Sequence, residues 1–92
     1  GYMSAERLRE DWPYAAVMIA ALRKHPDLTA SSIQLFFEVY SELDSPRTQS
    51  QLVKTTGMSR QSVIRATRQL HDRGLIQYER ERLRPVNLIK DL

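Results

Sequence analysis

A chain of 92 residues with a net charge of +3 and no cysteine is long enough for one domain with a modest core. The missing cysteine excludes disulfides, thiolate metal sites and cysteine nucleophiles. The longest apolar run, YAAVMIAAL from Tyr14 to Leu22, is about half of the roughly 20 residues a membrane-spanning helix needs; with no signal-peptide pattern at its start, the chain is expected in the cytoplasm and away from membranes.

In chain order, DWPYAAVMIAALRKHP reads as a first helix. Pro13 is tolerated in its opening turn, Arg23 and Lys24 suit the negative end of its dipole, and Pro26 forbids continuation. A second helix follows in LTASSIQLFFEVYSELDSP. Thr29 is its cap, with Leu28 and Ile33 as a hydrophobic staple, and Ser31 with Gln34 offers a competing capping box. Ile33, Phe36, Phe37, Tyr40 and Leu43 form one apolar stripe at helical spacing, and Leu35 with Val39 form a second. Both helices are apolar on more than one side, so each must be covered on two faces. A homodimer supplies that cover, with Tyr14, Val17, Met18, Ala21, Leu35 and Val39 as its expected contacts.

DSPR, from Asp44 to Arg47, is a turn. Thr48 to Gln51 then spells T-x-x-Q, a capping box that starts a third helix ending at Thr55 or Thr56. Gly57 suits the left-handed conformation that stops a helix, and Ser59 caps a fourth running from about Arg60 to Arg73, closed by Gly74. Beyond it LIQYERE and PVNLIKD have strand character, with ERLRP as the tip of a hairpin whose turn lacks the usual glycine.

The fourth helix has two distinct faces. At about 100° per residue, Val63, Ala66, Thr67 and Leu70 gather on one side while Gln61, Arg65 and Arg68 gather opposite. On an isolated helix an outward polar stripe is ordinary solvation. Here the helix follows a short capped helix and a glycine turn, an arrangement that props it outward. Arginine pairs bidentately with guanine O6 and N7, and glutamine with adenine N6 and N7. Arg60, Gln61, Ser62 and Arg65, in the first two turns, are therefore candidate base contacts, and Arg68 a phosphate contact. Thr48 and Ser59 stand at helix starts with unpaired N–H groups and are candidate phosphate contacts besides being caps. In the hairpin Arg80, Arg82 and Arg84 share one parity and are expected on one side, within reach of a groove or of phosphates.

Charge segregation agrees. Residues 1–46 carry four Lys/Arg against seven Asp/Glu, and residues 47–92 carry ten against four, so the basic footprint falls on the second half.

TQSQL (Thr48 to Leu52), GMSR (Gly57 to Arg60), inward Val63 with Leu70, and RGLI (Arg73 to Ile76) resemble the winged helix-turn-helix of the multiple antibiotic resistance regulator (MarR) family. The resemblance implies a mostly α fold with a small β-hairpin, four helices plus a two-stranded wing. It also implies base contacts from Arg60, Gln61, Ser62 and Arg65, and a wing contact from Arg82.

The resulting expectation is a single winged-helix domain over 1–92, with N-terminal helices in 1–46 and the helix-turn-helix and wing in 47–92. Its expected function is sequence-specific double-stranded DNA binding, as a homodimeric repressor of transcription. A component of plasmid or phage replication or partition, and a winged helix that binds only protein, are the alternatives. An enzyme is not expected, since His25 and His71 lack catalytic partners in the sequence. Neither a metal nor a cofactor is expected, and no effector ligand can be named.

Overall fold

The computed structural model describes residues 15–88. They form two compact units, residues 15–26 with 87–88, and Asp27–Val86. In the first, residues 15–23 are helical (α1). The N–H of Lys24 donates to Ala21 O (3.2 Å) and that of His25 to Leu22 O (3.0 Å), closing the helix before Pro26. Val17, Met18 and Ala21, expected at a dimer contact, are buried already in the single chain, whereas Ile19 is exposed. Tyr14 and the expected start of this helix lie outside the described residues.

The second unit runs α2 (Ala30–Ser41), β1 (Arg47–Thr48), α3 (Gln49–Thr56), α4 (Arg60–Asp72), β2 (Ile76–Glu79) and β3 (Arg82–Pro85). Its helices pack on one another, α2 against α4, α3 and β3. Leu35, Phe36, Val39 and Tyr40 of α2 meet Leu52, Val63, Ala66, Leu70, Leu75, Ile76 and Leu83 in one buried core. Leu35 and Val39, expected at a dimer contact, are 0% and 3% exposed. The second stripe of α2 is covered by the chain itself, and it is Ile33, Phe37 and Leu43 from the first stripe that stay exposed. Thr29 caps α2 by accepting from the Ser32 N–H (3.1 Å); the competing box is not used, and Gln34 donates to Thr56 O at the end of α3 (3.2 Å).

A wing hairpin forms, but its second strand is Arg82–Pro85, which was expected as the tip, because Leu83 turns into the core. Of PVNLIKD only Pro85 is in a strand among the described residues, the turn is Arg80–Glu81, and a third strand joins the sheet. The sheet order is β1-β3-β2, all antiparallel, with Arg47 opposite Leu83 and Thr48 opposite Arg82. Two residues have no periodicity to read, so DSPR looked like turn alone. At the base of the wing Ile76 lies opposite Pro85, which has no N–H to give. The next rung, Leu75 with Val86, is bridged by a side chain from α2. The buried Tyr40 hydroxyl donates to Leu75 O (2.6 Å) and accepts from the Val86 N–H (3.0 Å).

Candidate nucleic-acid interface

The helix-turn-helix is fixed by local hydrogen bonds of the kind its sequence specifies. Thr48 and Gln51 make the reciprocal capping box of α3, at 3.2 Å and 2.9 Å. Gly57, at φ +74°, ends α3 in the left-handed region, its N–H donating to Val53 O. Thr56 shapes the turn, donating to Leu52 O (2.6 Å) and accepting from the Met58 N–H (3.1 Å). Ser59 caps α4 through the Ser62 N–H, and its hydroxyl meets that of Ser62 at 2.9 Å. α4 starts at Arg60, and Arg73 is its C-cap.

α4 buries Val63, Ala66, Thr67 and Leu70 and leaves Arg60, Gln61, Arg65 and Arg68 exposed. The buried Thr67 hydroxyl is satisfied by Val63 O (2.7 Å). Gln61, Arg65 and Arg68 make no hydrogen bond or ion pair among the described residues, so their donors are available to an outside acceptor. Ile64 is also exposed, beside them. Asp72 shares this outward face in the last turn, and its charge opposes phosphate there. The arrangement favours an anionic, hydrogen-bonding partner along the first turns of α4.

A groove of about 380 Å³ lies between the starts of α3 and α4 and the wing, lined by Thr48, Ser50, Arg60, Tyr78 and Arg80 and, on its wing side, by the carboxylate of Glu81. Arg60 crosses to the Ser50 hydroxyl at 3.4 Å. Thr48 accepts only through its cap, and its own hydroxyl hydrogen faces no acceptor among the described residues. Tyr78, absent from the sequence-based candidates, is held by ring contact with His71 at 4.9 Å between centroids, which ties β2 to the last turn of α4. An aromatic at an alternating strand position was the signal for it.

The three wing arginines do not act alike. β2 stops at Glu79, so Arg80 leaves the expected parity and occupies the first position of a two-residue loop at φ +57°. Its guanidinium has no partner among the described residues. Arg82 turns back on the body of the unit, donating to Pro46 O (3.1 Å) and Gln51 Oε1 (3.5 Å). Arg84 pairs with Glu79 across the hairpin at 2.8 Å. Strand parity gave the side on which Arg82 and Arg84 emerge but not their partners; the open cation of the wing is Arg80.

A second group of residues that the sequence reading passed over holds α4 in place. Gln69 Oε1 accepts from the Thr29 N–H (3.2 Å) and from the Ser32 hydroxyl. Arg73 forks onto Asp27, Nη1 to Oδ1 at 2.7 Å and Nη2 to Oδ2. This bond, ahead of the simple attraction of the two charges, raises the Arg73 guanidinium further above its ordinary pKa.

No group of His, Cys, Asp and Glu able to hold a metal occurs among the described residues, and none of their helices is long and apolar enough to cross a membrane. A capped helix pair joined at a glycine turn, followed by a hairpin whose base is bonded to the preceding helix, defines a winged helix-turn-helix domain. The model of the MarR family matches residues 26–83, and the chain belongs to that family. Its members are DNA-binding transcriptional regulators and not enzymes. No curated protein and no solved structure matched the chain.

Proposed function

We propose that the protein is a sequence-specific regulator that represses transcription by occupying promoter DNA as a homodimer, with α4 in the major groove. Arg60, Gln61, Ser62 and Arg65 face base edges and Arg68 meets phosphate, while Thr48, Ser59 and the groove beside them follow the sugar-phosphate backbone. Arg80 reaches the minor groove or its flanking phosphates from the wing tip; Arg82 and Arg84 support the wing and contact DNA less. The observation that carries this reading is the outward Gln61-Arg65-Arg68 stripe without internal partners on a helix capped at its first residue.

A dimer is supported by the habit of the family and by Ile33 and Phe37, apolar, exposed and one turn apart on α2. Two copies then present two α4 helices to one DNA face, and the site is an inverted repeat with half-sites about one helical turn apart.

Selection from a random-sequence duplex pool at two salt concentrations tests the reading. Recovery of an inverted repeat that survives the higher salt supports it. A flat pool whose binding vanishes with salt refutes sequence reading and leaves phosphate contact alone. Sedimentation equilibrium showing only a 10.7 kDa species, with and without the selected duplex, refutes the dimer.

A further inference from the structure

Bidentate reading of a base tolerates an error of about 0.5 Å or 10–20° in the placement of the side chain. An α-helix with its side chains has a radius of about 5–6 Å, so a rotation of 10° about its axis moves a contacting tip by about 1 Å. The buried stripe of α4, Val63, Ala66, Thr67 and Leu70, is close-packed and gives the helix its coarse orientation. Directional bonds at its flank fix the last few degrees.

Gln69 and Arg73 are one turn apart on a single flank of α4, in line with Arg65 one turn earlier. Both reach one short stretch of the chain. Gln69 takes hydrogen bonds from Thr29, the cap of α2, and from the fully buried Ser32; Arg73 makes its two-point bond with Asp27. Two attachments a turn apart oppose twisting and sliding together, which one cannot do. Neither pair is needed to bury apolar surface, and the Arg73 and Asp27 side chains are 31% and 61% exposed, so the ionic attachment contributes little to folding.

We propose that Gln69 and Arg73 are positioning residues that set the rotation of α4 on the DNA, governing discrimination between base sequences more than total affinity for duplex. The proposal rests on the DNA-reading function given above.

The test uses the full chain and two probes, the duplex that the wild-type protein selects from a random pool and a scrambled duplex of equal composition. The readout is the ratio of the two affinities, in which a change of net charge cancels. Asp27→Arg and Arg73→Asp each lower the ratio about tenfold, the effect of loosening one bidentate base pair contact. The double exchange Asp27→Arg with Arg73→Asp restores it to within about threefold of wild type. Gln69→Met lowers the ratio, and Gln69→Glu, which keeps the acceptor oxygen, preserves it. Thermal melting of the exchange variants stays near that of the wild type.

Single exchanges and Gln69→Met that retain the wild-type ratio, while Arg65→Ala loses it, overturn the positioning role and leave the DNA reading intact. A ratio lost in step with melting temperature and not restored by the double exchange also overturns it. A flat wild-type pool overturns the DNA reading and this proposal with it.

Discussion

Replacing Tyr40 by phenylalanine removes one oxygen and tests how the wing is joined to the helices. That oxygen serves two backbone groups at once, the carbonyl of Leu75 and the N–H of Val86. Leu75 is 1% exposed, so water does not reach its carbonyl easily; Val86 is half-buried and its N–H is partly rescued by solvent. Leaving a buried polar group unsatisfied costs about 1–3 kcal/mol, and with the second group discounted the expected loss is about 2 kcal/mol. In urea, with a slope of about 1–3 kcal/mol/M for a small protein, this moves the unfolding midpoint down by about 0.7–2 M. Hydrogen exchange gives a local check: the Val86 amide of Tyr40→Phe exchanges about 30-fold faster, the equivalent of 2 kcal/mol. A destabilisation under about 0.5 kcal/mol, with Val86 exchange unchanged, would mean that Leu75 and Val86 close the rung directly, and the bridging role would be wrong.

Other substitutions separate the parts of the reading surface. Arg68→Ala reduces the slope of log affinity against log salt by about 1, the signature of one phosphate contact, and leaves the selected sequence unchanged; an altered consensus would place Arg68 at a base. Arg65→Ala costs about 1–3 kcal/mol on the selected duplex and relaxes preference at one position, as competitive binding to single-base variants of that duplex will show. Arg80→Gly relieves a side chain from positive φ, worth about 1–2 kcal/mol before the added freedom of the unfolded chain is subtracted. It is therefore expected to keep or raise the melting temperature while weakening DNA binding several-fold, and a fall in both would contradict the assignment of Arg80 to contact. Gly57→Ala meets open space, nothing lying within 4 Å of the added carbon, so its cost of about 1–2 kcal/mol is purely that of the left-handed backbone; a loss above about 4 kcal/mol in chemical denaturation would require a steric clash that the structure lacks.

The helix-turn-helix could be read from the sequence because its determinants are local. The Thr48–Gln51 box, Gly57 and the Ser59 cap each act within four residues, and the inward stripe of α4 follows from period alone. What escaped was long-range. Nothing near Gln69 says that its oxygen meets Thr29 and Ser32, and nothing near Arg84 selects Glu79 over solvent. Alternation places Arg82 on a face but does not show that Pro46 lies within its reach. Apolar breadth on α2 signalled two covered sides, yet the cover for Leu35 and Val39 comes from the same chain. Arg80 shows a different limit, since a hairpin without glycine must still place one loop residue at positive φ, and sequence gave no reason to choose this one.

Because β3 is the middle strand, flanked by β2 and by the two residues that open α3, the order of synthesis matters. A growing chain exposes every α4 candidate, Arg60 to Arg68, before the strand that joins the wing to the start of α3 has been made. Closing that sheet brings together residues far apart in sequence, a step whose entropic cost is recovered only when the last strand is in place. Thr48 is at once the partner of Arg82 in the sheet and the cap of α3, so wing and reading unit are completed in the same event. A product truncated before Arg82 carries all of α4 yet lacks the strand that joins the wing to the start of α3, and is expected to bind duplex DNA less tightly than the finished protein.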